Sequence, residues 1–123
     1  MPTPQETAET YGAAWNEPDD AKRRALLERA WAGDGVYTDP QSHAEGREAL
    51  LQLIAGFRAQ FAGARIVATS GVDEHHGLIR FTWAMHGADG NTIMEGIDFG
   101  ELAPDGRLRR IAGFFGPPPA AGP

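Results

Sequence analysis

The chain contains no cysteine, which excludes disulfides and thiolate chemistry of any kind. Lysine is nearly missing as well: Lys22 alone stands beside ten arginines, scattered along 123 residues of net charge −6. Binding a phosphate backbone needs a concentrated basic footprint, so no nucleic-acid partner is expected. No apolar run approaches the roughly 20 residues of a membrane span. The opening stretch MPTPQETAET is polar and acidic, unlike a secretory signal. These absences predict a cytoplasmic protein with neither membrane nor nucleic acid as partner. Helical His-Glu-x-x-His is absent too. His75 and His76, placed in succession at the start of a strand, should point to opposite faces, so no metal site is expected.

What is present suits one domain over residues 1–116, followed by a loose Pro-rich tail over 117–123. At 41% hydrophobic content, the chain can bury a core without staples. From about Pro4 to Asn16, the spacing of Ala8, Tyr11, Ala14 and Trp15 marks one helical face. Glu17-Pro18-Asp19-Asp20 stops that helix and caps a second, whose inner side carries Leu26, Leu27, Ala30 and Trp31. GVYTDP reads as a short strand ended by Pro40. Gly46 opens a third helix, with Leu50, Leu53, Ile54, Phe57 and Phe61 on one stripe. After Gly63 the pattern is strand-like, broken by the hairpin signals Asp89-Gly90 and Asp105-Gly106. Helices followed by a meander predict an α+β architecture: a cone-shaped barrel, with N-terminal helices packed on a strongly curved, mixed but mostly antiparallel sheet.

Alternation in GLIRFTWAMH places Ile79, Phe81, Trp83 and Met85 on one face and Arg80, Thr82, Ala84 and His86 on the other. The apolar face is either plain core or the wall of a cavity. Three polar residues stand out. Asp98, between Ile97 and Phe99 in a strand, either turns outward to solvent or an arginine, or faces a cavity. In a cavity, burial would favour its neutral form. Asp39 precedes Pro40 and suits a turn. Tyr11 lies on an apolar helix face, where its hydroxyl needs a partner.

The segments TYGAAWNEPDD, AGDGVYTDP, EGREAL and IDFGELAPDGRL together resemble the ketosteroid isomerase branch of the nuclear transport factor 2-like, or SnoaL-like, superfamily. That resemblance implies Asp39 as a catalytic base, with Tyr11 and a protonated Asp98 as hydrogen-bond donors to an oxyanion. It implies an apolar ligand pocket walled by Phe81, Trp83, Met85, Ile111 and Phe115, with Trp15 adding bulk. Trp31 and Ile54 would stand where the isomerases carry supporting tyrosines, Trp31 contacting the ligand, and His76 would reach the rim as an acid–base group. The expected activity is cofactor-free proton transfer, by isomerisation or cyclisation, on a hydrophobic carbonyl compound. The alternatives are a noncatalytic binder of small hydrophobic ligands, or a dehydratase or hydrolase of the same superfamily. Arg80 has the wrong strand parity for an Asp-Arg-Asp epoxide hydrolase relay. Homodimerisation through the outer sheet face is a further expectation.

Overall fold

The computed structural model describes residues 1–122; Pro123, the end of the expected tail, lies outside them. Three helices come early: α1 (Pro4–Asn16), α2 (Asp20–Ala30) and, after two strands, α3 (Arg47–Gln60). The strands are β1 (Trp31–Asp39), β2 (Ser42–Glu45), β3 (Arg65–Ala68), β4 (Asp73–His75), β5 (Leu78–His86), β6 (Thr92–Leu102) and β7 (Leu108–Phe115). They form one sheet of order β2-β1-β7-β6-β5-β3, with β4 also on β5. Every pairing is antiparallel except β1 with β7. The sheet does not close into a barrel; the cone is an open curved sheet completed by helices.

Local chemistry explains the helix positions. A capping box starts α1: Thr3 Oγ1 accepts from the Glu6 N–H, and Glu6 Oε1 accepts from the Thr3 N–H. Asp19 Oδ2 accepts from the Lys22 N–H at the start of α2. Between them, buried Arg23 donates from Nε and Nη2 to the Glu17 carbonyl and from Nη2 to that of Pro18. The guanidinium therefore satisfies carbonyls that the end of α1 leaves open. Arg23→Ala is expected to lower stability by about 1–3 kcal/mol, because the packing of a buried side chain and its hydrogen bonds to Glu17, Pro18 and Asp20 are lost together. The urea midpoint of the variant checks this.

Asn16, at the end of α1, acts like one more strand residue beside β3. Its Nδ2 donates to the Ile66 carbonyl and its Oδ1 accepts from the Ile66 N–H, each at 2.7 Å. This occupies backbone groups at an edge strand and docks α1 on the sheet.

Several expectations need correction here. Trp31 does not end the second helix; it begins β1, which runs four residues further towards the N-terminus than expected. A wide bulge interrupts that strand, since Trp31 pairs with Leu108 but Val36 already pairs with Arg110. Gly35 is required there, because a Cβ would lie 2.6 Å from the Trp31 ring. β2 had no signal of its own, being four residues read as loop after Asp-Pro. It forms through a tight hairpin that pairs Asp39 with Ser42. His76 is not in a strand at all. It sits in the β4–β5 turn at φ 54, which brings its ring to the same side as that of His75, with the two Nδ1 atoms 3.1 Å apart. The expected opposite orientation assumed strand geometry that the turn does not have. Residues 117–122 have no regular structure. No helix among the described residues is long and apolar enough to cross a membrane.

Candidate active site

Between the helices and the concave face of the sheet lies a cavity of about 730 Å³. Asp98, on β6, faces it and is only 7% exposed. The strand parity is the cause: Asp98 pairs with Phe81 on one side and Gly113 on the other, while Phe99 points outward. The Trp83 indole N–H donates to Asp98 Oδ1 at 3.1 Å, and no arginine pairs with the carboxyl among the described residues. Burial pushes the Asp98 pKa up to about 7; the Trp83 hydrogen bond opposes this and the nearby Asp39 charge adds to it. The carboxyl is thus held partly in its neutral, donor-competent form near neutral pH.

Two glycines make the room. A Cβ on Gly96 would overlap the Trp83 ring and lie 2.6 Å from the Phe114 carbonyl. That glycine lets the indole lie flat on β6 and reach Asp98. Gly96→Ala is expected to displace Trp83 and cost about 1–3 kcal/mol by overpacking. A shift in tryptophan emission together with a lower unfolding midpoint would show it. A Cβ on Gly113 would sit 2.8 Å from Asp98 Oδ1 and 3.5 Å from the Asp39 Cβ. Since β7 runs between β1 and β6, the two acids stand on either side of a bare backbone position. Strands two apart are separated by roughly 10 Å, enough for a ligand group to settle between the carboxyls.

Asp39 ends β1 and also lines the cavity. Its Oδ2 accepts from the Tyr37 hydroxyl at 2.6 Å and its Oδ1 from the Gln41 N–H at 2.8 Å, so the carboxyl orientation is set from both oxygens. Tyr11, on α1, lines the same cavity and is 3% exposed. Burial first, then the Asp98 charge, raises its pKa well above the ordinary phenol value, so it remains a hydrogen-bond donor. The structure therefore brings Tyr11, Asp39 and Asp98 to one cavity. Phe81, Trp83, Met85, Phe115 and Trp15 also line it.

Three expected pocket residues are elsewhere. Trp31 is fully buried one layer behind, its ring stacked on Tyr11 at 5.6 Å. Ile111 is fully buried in the core beneath. His76 is exposed in the β4–β5 turn and does not line the cavity. The apolar face of β5 proves to be both things at once: Ile79 joins the main core, while Phe81, Trp83 and Met85 face the open space.

Tyr37 was missed. It is buried in the cavity wall, and burial, followed by the neighbouring Tyr11, raises its pKa above the ordinary phenol value. Its signal was available in parity, for Tyr37 and Asp39 are two apart on one strand and must share a face.

Helices on a strongly curved sheet around an apolar cavity with acids on its floor define the nuclear transport factor 2-like class. A sequence profile of the SnoaL-like domain matches residues 8–111, and the chain belongs to that family. A crystal structure of a proposed isomerase of the SnoaL-like family from Agrobacterium tumefaciens is 36% identical, with TM-score 0.86 over 91% of this chain and 96% of that one. A proposed polyketide cyclase from Sinorhizobium meliloti shares the fold at 16% identity and TM-score 0.70, over 92% and 94% of the two chains. A nuclear transport factor 2-like protein of unknown function from Cytophaga hutchinsonii does so at 14% and 0.71, over 95% and 93%. No curated protein sequence matches the chain.

Proposed function

We propose that this chain is a cofactor-free enzyme that moves a proton within a small hydrophobic carbonyl compound, by isomerisation of an unsaturated ketone or a related ring closure. One observation carries the reading: two carboxyl groups flank Gly113 in an apolar cavity, in contrasting environments. Asp39 holds two hydrogen bonds from donors, whereas Asp98 is buried with one, from an indole. Pairs of titratable groups whose surroundings push them apart are how acid and base roles are assigned at neutral pH.

In the proposed step Asp39 takes a proton from the carbon beside the ketone, and the electrons move onto the carbonyl oxygen. Tyr11 and neutral Asp98 donate hydrogen bonds to that oxygen as its charge grows. For an isomerisation, Asp39 then returns the proton at the far end of the dienolate, so the double bond moves into conjugation and no net proton is exchanged. Tyr37 keeps the Asp39 carboxyl aimed at the ligand. The names of the two relatives, isomerase and polyketide cyclase, point in the same direction.

The test is incubation of the protein with a β,γ-unsaturated 3-ketosteroid, and separately with a single-ring β,γ-unsaturated ketone, while following enone absorbance. Catalysed conversion of either supports the reading. No acceleration of either would overturn it and leave the cavity as a binding site alone.

The second proposed partner is another copy of the chain. Phe99 and Phe114 are exposed on the outer sheet face, 6.0 Å apart edge to face, beside half-buried Ile97. Light scattering should give twice the chain mass at micromolar concentration, and Phe114→Glu should halve it; a wild-type monomer would rule the dimer out.

A further inference from the structure

We propose that Gly12 and Gly56 are specificity-determining positions: their missing side chains keep open a passage between α1 and α3, through which a flat neutral ligand enters the cavity and beyond which it extends. The inference rests on the proposed function only in taking the cavity as a ligand site.

Glycine is among the least favourable residues for a helix interior, second only to proline, because it surrenders the most backbone freedom. The three helices contain two glycines between them, Gly12 in α1 and Gly56 in α3. Close packing does not explain either one, since a Cβ at each would meet no atom within 4 Å. By contrast, Gly35 and Gly96 in the sheet are each required by a ring pressed against them. Both helix glycines line the cavity. The open space over their Cα atoms is therefore space belonging to the cavity.

The helices themselves frame an opening. α1 packs along α2 and on β3, and α3 packs on α2, β1 and β2, but α1 and α3 scarcely meet. Exposed residues from both, Ala13 on α1 and Gln52 and Gln60 on α3, line the cavity, so it reaches the surface between them. On α3 the sequence Gln52, Gly56, Gln60 is an i, i+4, i+8 stripe, with the glycine at the middle of the lip. The two glutamines beside it can hydrogen-bond carbonyl or hydroxyl groups at the ligand's outer end, and the two exposed charges that also line the cavity, Glu9 on α1 and Arg65 on β3, are of opposite sign. The deep end meets Tyr11 and Asp98.

The experiment compares wild type with Gly12→Ala, Gly56→Ala, Gly12→Leu and Gly56→Leu, using two probes. Nile red, a flat neutral tetracyclic dye with a ring carbonyl, needs the whole passage; 2-naphthol fits inside the cavity. The alanine variants should melt a few degrees higher, because the added Cβ improves helix propensity and meets nothing. The leucine variants should bind Nile red about tenfold more weakly or worse, the loss expected from overfilling a passage, while keeping wild-type affinity for 2-naphthol.

Undiminished Nile red binding by both leucine variants would overturn the proposal. So would equal losses for the two probes, which would mark general collapse, and so would a wild type that does not bind Nile red. None of these readouts involves turnover. A protein that binds Nile red through this passage yet accelerates neither ketone would overturn the proposed function and leave the passage standing.

Discussion

Asp39→Asn is expected to lower turnover of an unsaturated ketone by about 10²–10⁴, the usual worth of a positioned general base. Asparagine is close to isosteric with aspartate. Its Oδ1 can still accept from the Gln41 N–H, and its Nδ2 can donate to the Tyr37 hydroxyl oxygen, which then acts as acceptor at the contact now 2.6 Å long. What the amide cannot do is take up a proton from carbon. Shape and ligand binding should therefore survive while the chemistry fails, so the loss should fall on kcat rather than KM. The position is only half-buried, and the unfolding temperature should change little. A variant within about tenfold of wild type in kcat would remove Asp39 from the role of base. Tyr37→Phe gives a graded companion measurement: it leaves the base in place but frees one carboxylate oxygen, so its loss should be smaller than that of Asp39→Asn.

The other large effect concerns Asp98 and pH. Its folded pKa stands near 7 against an ordinary value of 3.8, so between those values the folded chain binds more protons than the unfolded one. Stability contributed by this group is therefore fully present below about pH 4 and is lost as pH rises towards 7. The whole loss is about 4 kcal/mol at most, taking 1.36 kcal/mol for each unit of displacement. Asp98→Asn removes the ionisation while keeping an oxygen for the Trp83 N–H. The variant should match wild type in acid and exceed it by a few kcal/mol above neutrality, read as a gap in melting temperature that opens with pH. Comparing the two proteins at each pH cancels the titration of every other acid in this chain of net charge −6. Turnover should follow the same group: wild type should decline above about pH 7 as the donated proton is lost, and the variant should lack that limb because its amide always carries N–H. Parallel melting curves at all pH values would show that Asp98 is not held neutral.

The extent to which these residues could be read from the chain differs with the range of the forces involved. The periodicity of Ala8, Tyr11, Ala14 and Trp15, and that of Leu50, Leu53, Ile54 and Phe57, reports burial of one helix face, so α1 and α3 appear where the pattern places them. Strand parity put Asp98 on the face opposite Ile97 and Phe99 but left open whether that face met solvent or a cavity, which the curvature of the sheet decides. Tyr37 obeys the same rule and could have been named beside Asp39. By contrast, Trp31 and Ile111 are as apolar as Trp83 and Phe115, and nothing local separates a side chain that closes the core from one that borders empty space. Their assignment to the pocket failed for that reason. His76 failed because a left-handed turn residue reversed the expected alternation.

That two acids and a tyrosine could meet was implied by the family resemblance; sequence patterning by itself determined the α+β class and the alternation of apolar faces. Those properties depend on periods of 2 and 3.6 residues, which the chain carries in itself. Only the tertiary structure decided that β7 passes between Asp39 and Asp98 with a glycine at the crossing, that Trp83 rather than an arginine meets Asp98, and that α1 and α3 stand apart beside Gly12 and Gly56. Each depends on pairing residues far apart in the chain, and the cost or gain of such a contact exists only once the sheet has curved and the helices have closed over it.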